Sequence, residues 1–130
     1  MRVLFPIFSV AVLMASSAMA KPPLISVHEL TGPLIEGRAA DLVRKECDSY
    51  KVNMISAISQ VRGLKNKASR MGYSDDEIDA FVESRETKNF ITGEARELLR
   101  GYGAESGGIC AAGDELVKRH PLADKLIYKK

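Results

Sequence analysis

Two cysteines, Cys47 and Cys110, stand far apart in a chain of 130 residues that contains no others. Such a pair can form one disulfide, bind a metal or supply a reactive thiol. Structural zinc sites need three or four ligands at short spacings, and the two histidines, His28 and His120, are each distant from a cysteine in sequence. A reactive thiol needs a neighbouring base and is exposed to oxidation outside the reducing cytosol. Whether the protein is exported to an oxidising compartment therefore decides between a disulfide, a metal site and a reactive thiol.

The first twenty residues, MRVLFPIFSVAVLMASSAMA, have the three parts of a secretory signal peptide. Arg2 supplies the positive start, residues 3–14 are almost wholly apolar, and the small residues that follow end in an A-x-A cleavage signal at Ala20. The apolar run is shorter than the roughly 20 residues that a spanning helix needs. The sequence therefore predicts that residues 1–20 are cleaved and that no stable membrane anchor remains.

Export determines the state of the two cysteines. A periplasmic or secreted location allows thiols to oxidise, so Cys47 and Cys110 are predicted to form the single intramolecular disulfide that two cysteines permit. Closing a loop of this length stabilises a fold by about 4 kcal/mol in the chain-entropy model. That is a large share of the roughly 5–15 kcal/mol that stabilises an ordinary domain.

The rest of the chain is long enough for one domain with one core. Residues 21–33, KPPLISVHELTGP, contain three prolines and are predicted to be an extended lead-in whose apolar side chains lie against the domain. Residues 34–130 are predicted to form a single all-α domain of five or six helices, because no segment shows the sustained alternation of a β-hairpin.

The clearest amphipathic pattern runs from Tyr50 to Met71. Its apolar residues recur at helical spacing and are expected to be buried: Met54, Ile55, Ala57, Ile58, Val61, Leu64, Ala68 and Met71. The other face carries a basic stripe of Lys51, Arg62, Lys65, Lys67 and Arg70. We expect this stripe to be solvated, the alternative being an acidic partner or anionic headgroups.

The stretch GYSDDEIDAFV predicts the start of another helix. Ser74 is the expected N-cap and Glu77, three residues on, completes a capping box. Asp75 and Asp76 add negative charge at the positive end of the helix dipole. The acidic run does not fit a calcium loop, since the alternating ligands, the central glycine and the distant Glu of an EF-hand are missing.

The remaining segments predict further helices and one loop. Ser84 is expected to cap a kink or a new helix that continues to about Arg100, and two short helices follow from Ile109 to the C-terminus. Between them lies GYGAESGG, which fits neither a P-loop nor a dinucleotide fingerprint, and Ser106 is not in a nucleophile elbow. This segment is interpreted as a flexible connection.

Three stretches together resemble a known family. The runs ADLVRKECDSY around Cys47, GYSDDEIDAFVES and GIC at Cys110 are similar, in the same order, to short exported proteins of Gram-negative bacteria that form a family of unknown function. The resemblance covers nearly the whole chain. It implies a helical secreted domain with one disulfide, and it brings no catalytic residues.

Charge and motifs restrict the function. A formal net charge of +2 is nearly balanced and argues against a nucleic-acid binder. No catalytic, cofactor-binding or metal-binding constellation is predicted, so we expect a non-enzymatic interaction module with an unidentified periplasmic protein partner. The alternatives are a stress chaperone or inhibitor and, less favoured, an envelope-polymer hydrolase using Glu36, Asp41 and Glu46 as carboxylates.

Overall fold

The structure is a computed structural model that describes residues 20–130. Residues 1–19, which hold nearly all of the predicted signal peptide, lie outside the described residues. In chain order the elements are α1 (His28–Glu46), β1 (Tyr50–Val52), α2 (Met54–Arg70), α3 (Asp75–Glu83), α4 (Arg85–Gly101), α5 (Ile109–Arg119), α6 (Pro121–Leu126) and β2 (Ile127–Lys129). The described chain is therefore a six-helix domain, and the predicted all-α class is confirmed apart from one small β-ribbon.

Helix α1 lies at the centre of the domain and packs against α4, α5 and α6. Its inward face carries Ala39, Leu42 and Val43, which are buried against Leu99 of α4 and Leu116 of α5. These apolar residues recur every three or four positions, so one side of each helix is removed from water at once. The main core thus consists of α1, β1, α4, α5, α6 and β2.

The predicted disulfide is confirmed. Cys47 follows the last residue of α1, and Cys110 is the second residue of α5, with 5.4 Å between their Cα atoms. Cys47 is 1% exposed whereas Cys110 lies on the surface. The bond therefore ties the end of the central helix to the start of α5.

The first helix begins earlier than predicted. Residues 28–33, expected to be extended, form the first turns of α1, preceded by a 3-10 turn at Leu24–Ser26. Pro33 lies inside the helix and cannot donate a hydrogen bond to the carbonyl of Glu29, which costs helical stability. Burial outweighs this cost, because the segment packs into a second apolar cluster: Leu24, Val27, Leu30, Ala68, Tyr73 and Ile78.

The β-ribbon is a second departure from the prediction. Residues 50–52, expected to begin a helix, form β1, which pairs antiparallel with β2 so that Tyr50 lies opposite Lys129 and Val52 opposite Ile127. Tyr50 and Ile127 are both buried. Helix α2 starts only after Asn53, whose side chain accepts a hydrogen bond from the Ser56 amide at 3.2 Å.

Candidate interaction surface

Helix α2 turns most of its large apolar side chains to solvent. Four of them form the apolar stripe: Met54, Ile55, Ile58 and Val61 are 59%, 83%, 54% and 54% exposed. The prediction that this face is buried was wrong for these residues and for Met71, which is 39% exposed. Isolated exposed apolar residues are ordinary, whereas a contiguous group on one helix is a candidate interaction surface.

The placement of α2 on the domain explains why these side chains are exposed. Met54, Ile58 and Val61 are separated by four and three positions and share one side of the helix, with Ile55 beside them. Leu64 and Ala68 lie on the same side of α2, one and two turns beyond Val61, and they pack into the second apolar cluster. Because α2 buries only Ala68 completely, its packing is light and the stripe remains outside.

The stripe leads into a cleft between α1, α2, α3 and α4. One end of the cleft is an apolar pocket of about 110 Å³, walled by Val61 and Leu64 of α2 and by Val82 of α3. The other end is a pocket of about 350 Å³ beside α4. Leu34, Phe81 and Val82 line both pockets, and we call the two neighbouring pockets together the cleft.

The ionisable residues that line the cleft are all basic. Lys65 stands beside the apolar pocket, and Arg38 and Lys88 stand beside the larger one. Lys65 pairs with Asp79 at 3.2 Å, and Arg38 pairs with Asp41 at 2.6 Å while its Nε donates to Thr92 Oγ1 at 3.1 Å. Within residues 20–130, Lys88 forms no ion pair within 4.0 Å. Asp79 and Asp41 therefore offset the charges of Lys65 and Arg38, and α3 carries five acidic residues, whereas the sequence of α2 has none.

The predicted capping residues lie at the N-terminus of α3. Ser74 is the N-cap of α3, and its Oγ accepts the amide hydrogen of Glu77 at 3.1 Å. Lys21 also reaches this helix start, with its Nζ 2.6 Å from the Gly72 carbonyl and 3.1 Å from Glu77 Oε1. The Lys21 ammonium, followed by the Ser74 backbone, holds the pKa of Glu77 below its usual value. This corner fastens the N-terminal segment to the start of α3.

A cluster of contacting side chains around His120 was not predicted from the sequence. Nδ1 of His120 lies 3.3 Å from Glu36 Oε1, and its Nε2 lies 2.7 Å from the Tyr102 hydroxyl. The Arg119 guanidinium lies over the Tyr102 ring at 5.3 Å. These residues come from α1, α5 and the loop and cap positions between helices, so no local spacing could bring them together. This cluster of side chains holds the loop after α4 against α1.

The three carboxylates considered for a hydrolase point to different partners. Glu36 contacts His120, and Glu46 pairs with Arg96 at 3.3 Å. Burial opposes the ionisation of Asp41, but hydrogen bonds from Arg44 and Lys45 outweigh it, so the pKa of Asp41 is lowered. Each group therefore has a neighbouring cation or histidine.

Two features are absent from the residues that the structure describes. Across residues 20–130, no group of three or more His, Cys, Asp or Glu side chains is arranged to hold a metal ion. In the same residues, no helix combines the length and apolar character needed to cross a bilayer.

The family of the chain follows from a match over most of its length. The model of a family of unknown function, DUF5333, matches residues 22–127, which include every helix and the disulfide. The chain belongs to this family. No curated protein and no solved structure matches the chain. The resemblance to a family of unknown function is thus confirmed.

Proposed function

We propose that the protein is an exported, non-enzymatic interaction module that binds a protein partner through the apolar stripe and the cleft. The observation that carries the proposal is the stripe itself. Exposing Met54, Ile55, Ile58 and Val61 to water costs hydrophobic free energy, roughly 1.5–3 kcal/mol for each large side chain that could be fully buried. A partner that covers them recovers that free energy.

Two features support export. The N-terminal sequence has the three regions of a signal peptide, and the disulfide is a bond that persists in oxidising compartments. Intact-mass measurement of the protein recovered from the periplasm of a Gram-negative host tests this part. A chain that begins at Lys21 with no free thiol is expected, whereas a retained Met1 would contradict export.

Site-specific photocrosslinking in the native envelope tests the interaction. A photoreactive residue replaces Ile58 in one protein and Phe90 in another, since Phe90 is an exposed apolar residue of α4 outside the cleft lining. We expect one discrete adduct from position 58 that disappears when Val61→Glu is added, and none from position 90. No adduct, or the same adducts from both positions, would count against the proposal.

A stress chaperone is the second candidate, and the same stripe favours it because chaperones bind unfolded clients through exposed apolar surface. Suppression of client aggregation at low pH separates the two functions. A chaperone binds many clients without a preferred adduct, whereas an interaction module gives one adduct and leaves aggregation unchanged.

A further inference from the structure

We infer that the bond between Cys47 and Cys110 is a redox-sensitive latch that opens and closes through Cys110, the cysteine that an incoming thiol attacks. The inference goes beyond the proposed function, because it assigns a reactive site to a bond that otherwise only stabilises the fold. It depends on three observations: the unequal exposure of the two cysteines, their opposite positions on two helices, and the packing that holds α5 without the bond.

The two cysteines differ in their access to solvent. Cys47 is 1% exposed and belongs to the main core, whereas Cys110 is an exposed residue. Thiol–disulfide exchange requires a thiolate to reach one of the two sulfurs directly. The core therefore shields Cys47 from attack, and Cys110 is the accessible end of the bond.

The helix positions favour the thiolate form of Cys110 in the reduced protein. Cys110 is the second residue of α5, where free backbone amides carry partial positive charge, and the first turn of α5 contains no acidic residue. Cys47 is the C-cap of α1, at the negative end of that helix, and it is buried. A helix N-terminus stabilises a thiolate, whereas apolar burial destabilises one. Cys110 is therefore the reactive thiol of the pair.

Most of α5 keeps its place on α1 without the bond. Ala112 is fully buried, and Gly113 packs so closely against Val43 that no Cβ would fit between them. The residues before this contact are held more weakly, because residues 105–111 are exposed apart from the half-buried Ile109. Opening the bond therefore releases residues 105–111 and leaves the rest of α5 packed.

The chemistry is thiol–disulfide exchange with a thiol as the reductant. A glutathione thiolate attacks Cys110 Sγ, forms a mixed disulfide with it and releases Cys47 as a thiolate, which takes up a proton. A second glutathione thiolate attacks the glutathione sulfur of the mixed disulfide and releases the Cys110 thiolate. Two glutathione thiols are thus oxidised to one glutathione disulfide, and their two electrons reduce the bond in the protein.

Single-cysteine variants test the site of attack. Cys47→Ala and Cys110→Ala are purified as full chains, reduced, freed of reductant and incubated with glutathione disulfide before measurement of the intact mass. We expect one glutathione adduct on Cys47→Ala and none on folded Cys110→Ala. In concentrated urea Cys110→Ala should also form the adduct, which shows that its thiol is intact. Equal adduct formation by the two folded variants, or none on Cys47→Ala, would overturn the inference.

A measurement on the wild type does not depend on how the variants fold. The protein is reduced with dithiothreitol and pulsed with iodoacetamide, and mass spectrometry of its peptides gives the alkylation rate at each cysteine. Cys110 should react at least about tenfold faster than Cys47, with a rate that rises at a pH below the ordinary thiol midpoint of about 8.5. Equal rates, or a midpoint above that value, would contradict the assignment of Cys110.

Limited proteolysis tests the release of the segment. A glutamyl endopeptidase cleaves after Glu105 in this segment and after Glu97 in α4, and both residues are exposed. Reduction should accelerate cleavage after Glu105 more than cleavage after Glu97, because only residues 105–111 are released. Equal acceleration at both sites would mean that the whole domain opens, and no acceleration at either would mean that the bond holds no segment in place. Either result would refute the latch.

Discussion

Gly113 of α5 and Val43 of α1 face each other without space for another carbon. A Cβ built on Gly113 would lie 2.5 Å from Val43 Cγ1 and 3.1 Å from Tyr50 Cε2. Gly113 is buried and stands one turn after Cys110 on the same helix. The two helices that the disulfide joins therefore also approach closely at a glycine.

Gly113→Ala should destabilise the protein. The added methyl overpacks the contact with Val43, and overpacking of a filled core costs about 1–3 kcal/mol. Gly93→Ala is the matched control, because Gly93 is also helical and its added Cβ would meet nothing within 4 Å. That change should stabilise the protein by roughly 0.5–1 kcal/mol. The urea midpoints of the two variants are compared with that of the wild type. Equal changes in midpoint for both variants would refute the close approach of Gly113 to Val43.

Removal of the disulfide should cost about 4 kcal/mol of unfolding free energy, because the unfolded chain loses a long closed loop. The variant is Cys47→Ala with Cys110→Ala, measured by chemical denaturation beside reduced and oxidised wild type. Reduction of the wild type should lower stability by a similar amount. An unchanged midpoint in both experiments would contradict the stabilising role of the bond.

Substitutions in the exposed stripe should have little effect on stability. Ile55→Gln and Ile58→Gln should change the unfolding free energy by no more than about 0.5 kcal/mol, since neither side chain is packed in the core. Leu116→Ala, at a fully buried position, should cost about 2–5 kcal/mol. Thermal or urea unfolding of the three variants compares them directly. A loss at Ile58 as large as that at Leu116 would show that α2 is packed differently.

Local patterns were predictable and long-range partners were not. The start of α3 at Asp75 follows from a serine and the acidic residues beside it, and these interact within one helical turn. Periodicity also identified α2 as amphipathic, but it does not say how much of the apolar face meets the domain. That extent depends on the second apolar cluster, which reaches Leu64 and Ala68 and does not include the stripe.

The misplaced boundaries have the same origin. Tyr50 lies in a segment with helical periodicity. It forms a strand instead, because β1 pairs with β2 near the C-terminus, where Lys129 lies opposite Tyr50 and Ile127 is buried. Pro33 predicts an extended segment, but burial of Leu24 and Leu30 extends α1 across it. Tertiary contacts override local preference in both cases.

Asp114 should make the protein sensitive to acid. Its Oδ1 accepts a hydrogen bond from the Tyr50 hydroxyl at 2.6 Å and lies 2.7 Å from Lys129 Nζ. The pKa of Asp114 lies below its ordinary value of 3.8, mainly because of the hydrogen bond from Lys129 and secondly because of the one from Tyr50. The pKa of Tyr50 is raised, mainly by burial and secondly by its hydrogen bond to Asp114. Because the folded pKa of Asp114 is depressed, its contribution is fully present well above 3.8 and is lost as the pH falls through the folded value.

Asp114→Asn removes this dependence. Wild type should be more stable than the variant at neutral pH, and the difference should shrink as the pH falls below about 5, because the wild-type carboxylate takes up a proton and no longer pairs with Lys129. Urea midpoints for both proteins between neutral pH and about pH 3 measure the difference. Asp48→Asn, at an exposed position beyond α1, is the control and should change little. A gap between wild type and Asp114→Asn that stays constant with pH would mean that the ionised form of Asp114 does not hold Tyr50 and Lys129 together.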